Sequence, residues 1–493
     1  MDGGPVSAGG EIGAATSLPV PQEVVERALA LSRGDGCAVL VEELSQTEVR
    51  FANNTTTTNG VRRGRRVAVV SFRLAGPGPT GARPPVGGAP TAVGVASGSG
   101  DVDVEDLVRR AEHEAASMEP ADDAAPLVEP AAGPAPTGFG EPPVLTAPGA
   151  LEGVVRGLAG AFGRARPSDV VLSGFATHGV ETTYLGTSTG LRGRHAQPAG
   201  TMELVGRSQD GARSAWAGAA TTGVDDVDVE AFEDRIRRRL DRARRRVELE
   251  AGHYEVLLPP DATADLMVAL SQELSGRAAE EGRSPFSSPG GGTRLGHRLC
   301  DLPFELRSDP AAPGLESAPF LAAAASGPDV SVFDNGLPVG ATSWIEGGVL
   351  RRLRYHRARA ATSGAAVTPP VGNLVLSLPG GATAPPTLED MIAGTDRALL
   401  LTCLWYIREV DPVTLLLTGL TRDGVYLVED GEIVGAVNNF RFNESPLDVL
   451  ARTTEAGRAE RALSREWGEW MNRTAMPPLR VAGFNMSSVS PAS

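Results

Sequence analysis

The feature that most constrains the fold is an apolar, β-rich stretch at residues 399–445 that short turns divide. Residues 413–420, 424–429 and 432–437 each have the composition of a strand. The Glu-Asp-Gly-Glu segment between the last two has the chemistry of a tight hairpin turn. Parallel strands need crossover connections of about a dozen residues, which these turns do not provide. The stretch therefore predicts an antiparallel meander of three strands.

The chain has 493 residues, which exceeds the roughly 250–300 residues that one hydrophobic core usually serves. We predict an N-terminal α/β domain at residues 19–98, a middle domain at 101–250 and a C-terminal sheet domain at 252–488. Within the middle domain, residues 119–148 have the proline- and alanine-rich composition of a linker. The predicted fold class is α+β, with two small N-terminal α/β units and a larger C-terminal domain built on an antiparallel sheet with flanking helices.

Two helices are predicted in the C-terminal domain. The first begins at Pro259-Pro260-Asp261, and its Leu266, Leu270 and Leu274 recur every four residues, which predicts a buried stripe. The second spans residues 462–471 and is expected to cover an edge of the sheet.

The charge balance argues against a nucleic-acid backbone as the main partner. Basic residues number 46 and acidic residues 61, giving a formal net charge of -15, whereas binding to a phosphate backbone needs a positive field. Residues 229–249 are predicted to form an arginine-rich helix in which acidic residues are interleaved. At i,i+3 and i,i+4 spacings, oppositely charged residues predict an ion-paired, solvated face rather than a nucleic-acid arm.

The sequence also indicates a soluble cytoplasmic protein. Its three cysteines, Cys37, Cys300 and Cys403, are widely separated and odd in number, so no disulfide framework is predicted. Residues 1–17 lack the basic start and apolar centre of a secretory signal. The longest apolar run, residues 398–407, is shorter than the ~20 residues needed to span a bilayer.

Six short segments of the chain are similar in sequence to a known protein family. They are CLWYIREV at 403–410, LTRDG at 420–424, RFNES at 441–445, SVFDNGLP at 331–338, WIEGGVL at 344–350 and VGNL at 371–374. Together they resemble the TldD/PmbA family and, within it, the PmbA branch, also called TldE. The resemblance implies a heterodimeric zinc peptidase. The TldD branch carries a His-Glu-x-x-x-His helix and a C-terminal cysteine ligand, and the partner branch helps to enclose the active chamber.

This sequence lacks the zinc ligands of the TldD branch. On the first C-terminal helix, the positions that correspond to the family's ligands are Val268, Ala269 and Glu273, two of which are apolar. No two of the six histidines lie within five residues of each other, and no cysteine follows Cys403. We therefore expect no catalytic residue and no metal site in this chain, and zinc in a TldD-like partner chain.

Several polar residues lie beside the apolar sheet and are candidates for lining a substrate chamber. They are Arg408, Asn438, Asn439, Arg441 and Asn443. Such side chains beside a sheet can hold an extended peptide. Alternatively, they are turn and strand-end residues that satisfy local backbone groups.

The leading functional hypothesis is a non-catalytic, TldE-like subunit of a TldD-type zinc metallopeptidase, acting in proteolysis of unfolded peptides or in leader-peptide trimming. Its expected partners are a TldD-like catalytic subunit and an extended peptide, with no nucleic acid and no membrane. One alternative is an independently active metallopeptidase with atypical ligands. The other is a regulatory binding protein linked to DNA gyrase, which is suggested by the family's old label as a modulator of that enzyme.

Overall fold

The structure is a computed structural model that describes residues 18–75, 86, 88–132, 138–223, 227–379 and 384–490. None of the helices in these ranges has the length and apolar character that crossing a membrane requires.

Six strands form one antiparallel sheet in the N-terminal half of the chain. They are β1 (Gly36–Ala52), β2 (Thr55–Leu74), β3 (Thr91–Ser99), β4 (Val170–Thr187), β5 (Arg192–Ser208) and β6 (Ser214–Thr221). Their order across the sheet is β3-β2-β1-β4-β5-β6, and β1 pairs with β4 over most of its length. The units predicted at residues 19–98 and 101–250 therefore contribute strands to the same sheet.

Four helices cover one face of this sheet. They are α1 (Pro21–Leu31), α2 (Val104–Ser117), α3 (Glu152–Ala165) and α4 (Val229–Arg242). Val39 of β1 packs with α1 and α2, and Phe51 at the other end of β1 packs with α3 and α4. Since side chains alternate along a strand, the even-numbered residues of β1 face the opposite side. Ala38 and Leu40 on that side are buried in clusters with residues of the C-terminal half.

The C-terminal half contains two further sheets. Its strands are β7 (Arg246–Val247), β8 (Gly252–Leu258), β9 (Glu305–Ser308), β10 (Thr342–Glu346), β11 (Val349–Leu350), β12 (Leu374–Ser377), β13 (Arg397–Leu401), β14 (Leu404–Asp411), β15 (Leu416–Thr421), β16 (Val425–Glu429), β17 (Glu432–Val437), β18 (Phe440–Glu444), β19 (Thr453–Ala456), β20 (Glu460–Ala462), β21 (Thr474–Met476) and β22 (Leu479–Val489). One sheet has the order β11-β10-β9-β12-β21-β20. The larger runs β14-β15-β18-β22-β8-β13-β16-β17-β7, with β19 paired to β22.

Helix α5 lies at the centre of the C-terminal core. The helices of this half are α5 (Pro260–Gln272), α6 (Gly276–Glu280), α7 (Arg357–Ser363), α8 (Leu388–Ala393) and α9 (Pro446–Arg452). Every residue from Ala262 to Ser271 is buried, so α5 is buried on all sides rather than along one stripe. Leu266 and Leu270, together with Leu274 just beyond the end of the helix, are buried as predicted. They pack in one cluster with residues from both sheets. Burying aliphatic side chains of this size stabilises the fold by about 1.5–3 kcal/mol each.

The predicted three-strand meander is only partly correct. The hairpin between β16 and β17 is present, with Glu429 opposite Glu432 and the intervening Asp430 and Gly431 at positive φ. However, β15 pairs with β14 and β18 rather than with β16. The segment between β15 and β16 contains Gly424, whose φ is 137°. It interrupts the ladder, and its two flanking strands pair with different neighbours.

The prediction of a helix at residues 462–471 is wrong. Side chains of α5 accept hydrogen bonds from the polar groups of this segment and hold it in another conformation. The carboxylate of Asp261 accepts a hydrogen bond from the Leu463 N–H (2.9 Å). Asp265 Oδ1 accepts from Ser464 Oγ (2.9 Å) and from the Glu466 N–H (3.0 Å). The segment after β20 is therefore a loop of turns that is fixed to α5.

The predicted ion pairs of α4 are present on one side of the helix only. Buried Glu233 pairs with Arg164 and with Arg237, the latter at 2.7 Å, and Asp241 pairs with Arg244 at 3.1 Å. Arg235, Arg238, Arg239 and Arg242, by contrast, form no ion pair with any described residue. The expectation of a uniformly ion-paired helix is thus wrong for this second face.

Burial raises the pKa of Asp261 to about 6 and that of Asp265 well above its ordinary value. The unfolded chain releases these protons near pH 4 (about 3.9 for a free Asp), whereas the folded chain retains them to higher pH. The contribution of each carboxyl to stability is therefore present at low pH and falls as pH rises through its folded-state pKa.

We predict that Asp265→Asn flattens this decline. An asparagine keeps an acceptor for Ser464 and Glu466 and carries no charge to desolvate. The measurement is the free energy of unfolding by urea between pH 4 and pH 8, with exposed Asp101→Asn as the control for loss of one carboxylate. A variant at position 265 whose stability declines as steeply as that of the parent chain would contradict the explanation.

Candidate functional site

A cleft of about 800 Å³ separates the N-terminal sheet from the loop after β20. Its first wall is the helix-free face of the sheet, where strand alternation places polar side chains. This wall includes Gln46 and Glu48 of β1, Thr177 and Glu181 of β4, and Thr201 and Glu203 of β5. The wall presents hydrogen-bonding groups along three neighbouring strands.

The second wall of the cleft carries aromatic side chains. Trp405 at the start of β14 lines it together with Trp470 of the loop. Trp470 is 68% exposed and stacks on Trp467, with ring centroids 5.4 Å apart. Exposed aromatic rings beside a polar wall suit a ligand with both apolar and hydrogen-bonding parts.

Arg465 connects the two walls. Its guanidinium lies 4.9 Å from the ring centroid of Trp216 on β6 and 4.4 Å from that of Trp405. It forms ion pairs with Asp423 (3.1 Å) and with Glu203 (3.6 Å). Stacking between two indoles together with two carboxylates gives this cation a fixed position.

Cys403 lies against the same guanidinium but is not a nucleophile in this environment. Arg465 Nη1 donates to Cys403 Sγ at 2.7 Å. Burial nevertheless raises the pKa of the thiol to about 12, although the charge of Arg465 acts in the opposite direction. Because the thiolate is the reactive form, a buried thiol that stays protonated is inert.

Glu466 links the buried helix α5 to the outer strand β14. Its N–H bonds to Asp265, as described above, while its carboxylate accepts from the Tyr406 N–H (2.8 Å) and pairs with Arg408 (3.0 Å). The Arg408 guanidinium in turn lies 4.4 Å from the centroid of the Tyr406 ring. Tyr406 has a φ of 55°, which is unusual for a bulky residue. Glu466 therefore holds a strained irregularity in β14 at the rim of the cleft.

Three of the five candidate chamber residues lie together beside this rim. Arg408 on β14 is opposite Thr418 on β15, which is opposite Asn443 on β18. Arg441 donates to Thr418 Oγ1 at 3.3 Å. We call the set Arg408, Thr418, Arg441 and Asn443 the Thr418 patch. Asn443 Oδ1 is buried and has no hydrogen-bond partner among the described residues.

The other two candidates lie elsewhere. Asn438 and Asn439 line a separate cavity of about 220 Å³ near the end of β17. Asn438 Oδ1 accepts a hydrogen bond from the Leu249 N–H at 2.8 Å. For Asn438, this contact is the alternative role that the sequence analysis allowed, a side chain that satisfies a local backbone group.

The positions that correspond to the zinc ligands of the TldD branch do not fit a metal ion. Val268 and Ala269 lie in α5 and are buried in the apolar core. Glu273 follows the end of the helix, and burial together with the nearby Glu409 raises its pKa. In the described part of the chain, no group of three or more His, Cys, Asp or Glu side chains is placed to hold a metal ion.

Sequence reasoning missed Glu466, Arg465 and the polar wall of the N-terminal sheet. One signal was present: Asp261 and Asp265 are carboxylates one turn apart on an otherwise apolar helix. Buried carboxylates need hydrogen-bond donors, so these two predict that some distant segment docks on α5.

Comparison with known proteins agrees with this architecture. Residues 251–488 match the family model described as the PmbA/TldA metallopeptidase C-terminal domain. No curated protein sequence matches the chain. TldE from Thermococcus kodakarensis is similar in fold, with a TM-score of 0.73 and 17% sequence identity over 94% of this chain and 99% of that chain.

Two structures described as modulators of DNA gyrase are also similar. The one from Thermotoga maritima has a TM-score of 0.72 and 17% identity, covering 94% of this chain and 99% of its own. The one from Bacteroides thetaiotaomicron has a TM-score of 0.70 and 15% identity, covering 95% and 98%. These likenesses confirm the α+β fold class, and the matched C-terminal domain confirms the predicted family. The C-terminal domain, residues 251–488, belongs to the TldD/PmbA family of metallopeptidase-related proteins, and the chain as a whole has a TldE-like fold.

Proposed function

We propose that this chain is the non-catalytic, TldE-like subunit of a TldD-type zinc metallopeptidase that acts in the cytoplasm on unfolded peptides or trims leader peptides. The observation that carries the proposal is the apolar character of α5 at the positions matched to zinc ligands. Val268 and Ala269 have no donor atom for a metal and are packed in the core. The zinc ion, its bound water and the general base would therefore come from a TldD-like partner.

The role of this chain is to bind and position peptide. The large cleft is of the size that accommodates a ligand. Its polar wall can bond to a peptide backbone, and Trp405 and Trp470 can contact apolar side chains. On the Thr418 patch, the exposed guanidinium of Arg441 can donate to a peptide carbonyl. β14 ends the strand order of its sheet, so an extended peptide can pair with its free edge.

The same strand offers a surface for the partner chain. Tyr406 and Val410 are 56% and 57% exposed, and Val413 at the tip of the hairpin is 49% exposed. Exposed apolar side chains that are clustered on one hairpin are typical of a contact surface. The free thiols at Cys37, Cys300 and Cys403 are consistent with a reducing compartment.

We predict that mixing the chain with a TldD-like polypeptide produces a heteromer that hydrolyses an unstructured peptide faster than either chain alone. Replacing Arg441 and Asn443 by alanine should lower turnover while the chain remains folded. Light scattering measures assembly, circular dichroism measures folding, and a fluorogenic peptide measures turnover. Arg156→Ala is the control, because Arg156 is an exposed residue on α3 in the N-terminal half.

Two results would contradict the proposal. One is a catalytic chain that is equally active without this chain. The other is a mixture that never forms a heteromer at micromolar concentrations.

A further inference from the structure

Four arginines of α4 lie on one face of the helix. Arg235, Arg238, Arg239 and Arg242 are spaced at i, i+3, i+4 and i+7, which places them along a single stripe. At 1.5 Å per residue, the stripe is about 10 Å long. All four line a cavity of about 490 Å³ between α4, the start of α5, and α8.

The positive charge of this stripe is not neutralised by ion pairs. Elsewhere in the same segment Arg237 and Arg244 have carboxylate partners, but none of the four forms an ion pair with a described residue. Like charges at these spacings oppose helix formation by about 0.2–0.5 kcal/mol per pair. In a chain with a net charge of -15, a cluster of this kind is conspicuous.

Three carboxyl groups also line the cavity, but they do not balance the stripe. Glu460 is paired with Arg458, which lies outside the cavity, at 2.9 Å. The charge of Asp261 acts on Arg235 and Arg239 without forming an ion pair with either, and Glu389 lies in the exposed first turn of α8.

Arg239 is the half-buried member of the stripe, whereas Arg235, Arg238 and Arg242 are exposed at the mouth of the cavity. Arg239 donates to the backbone carbonyl of Trp216, and Tyr426 Oη donates to the Arg239 carbonyl at 3.1 Å, so this part of α4 is fixed. Arg235 lies 5.5 Å from the centroid of the Phe232 ring. Gly218, Ala219 and Ala220 of β6 leave room opposite the arginines, and Leu388 and Ile392 of α8 supply an apolar wall.

We propose that this cavity binds a small oxyanion with at least two negative charges, either a phosphate ester or an oligocarboxylate. Guanidinium groups bind such oxyanions through paired, charge-assisted hydrogen bonds. A stripe about 10 Å long exceeds the width of one phosphate group, so two or more charged groups are required to occupy it. The volume is that of a small-molecule site, and the apolar wall can contact an uncharged part of the ligand. This site is separate from the peptide cleft and does not depend on the peptidase role.

The test is calorimetric titration of the full-length chain with inorganic pyrophosphate, with inorganic triphosphate and, as the carboxylate arm, with citrate. At least one probe should bind with a dissociation constant below about 1 mM. The double variant Arg235→Gln/Arg238→Gln should weaken that binding at least tenfold. The matched control is Arg156→Gln/Arg244→Gln, which removes the same charge from exposed positions outside the cavity.

If the double variant weakens binding of pyrophosphate or triphosphate, the ligand is a phosphate compound; if it weakens binding of citrate, the ligand is an oligocarboxylate. Either result supports the site. Absence of binding by all three probes overturns the proposal, as does an equal loss of binding in the control variant. A single-stranded oligonucleotide that binds more tightly than pyrophosphate and is lost in the double variant would overturn the small-molecule assignment. Thermal melting of both variants verifies that each remains folded.

Discussion

The position of Arg465 between two indole rings determines how the N-terminal sheet meets the C-terminal domain. Trp216 belongs to the first and Trp405 to the second, while Glu203 and Asp423 supply one carboxylate from each side. Removing a single partner from a buried charge cluster leaves the remaining charges unpaired, which costs about 3–5 kcal/mol in comparable cases. The shape of the large cleft depends on this cation, because it is the point at which both walls meet.

Helix α5 positions the segment that carries Arg465. Asp261 and Asp265 fix the loop through its N–H groups, and Glu466 extends the contact to Tyr406 and Arg408 at the rim. In the TldD branch, as the family resemblance implies, the corresponding helix carries the catalytic zinc ligands. In this chain the helix instead carries an apolar face toward the core and two acids that build the cleft wall. The same structural element thereby fixes the loop that forms the second wall of the cleft.

Local sequence patterns predicted those features that depend on local interactions. The burial of Leu266 and Leu270 on α5 and the hairpin at Asp430-Gly431 follow from spacing and turn chemistry, and both are present. Arg408, Arg441 and Asn443 were predicted from their place beside the sheet and do lie together.

The features that failed prediction depend on contacts between residues distant in sequence. The sequence of the loop after β20 has a helical pattern. In the structure it is not helical, because Ser464 bonds to Asp265, which lies 199 positions away in the sequence. The i,i+4 spacing on α4 explains the ion pair between Arg237 and Glu233, but it carries no information about a cavity whose other walls come from α5, α8 and β16. Likewise, strand alternation predicts which side chains of β1 line the polar wall of the cleft only when it is known which face of the sheet the helices cover.

The central claim is that this chain lacks a metal site of its own and acts by completing that of a partner. The most direct measurement is the zinc content of the purified full-length chain, determined by mass spectrometry after equilibration with zinc, together with hydrolysis of an unstructured peptide by the same sample. The account predicts substoichiometric zinc and no hydrolysis, with or without a chelator. Stoichiometric zinc, with hydrolysis that a chelator abolishes and added zinc restores, would contradict it.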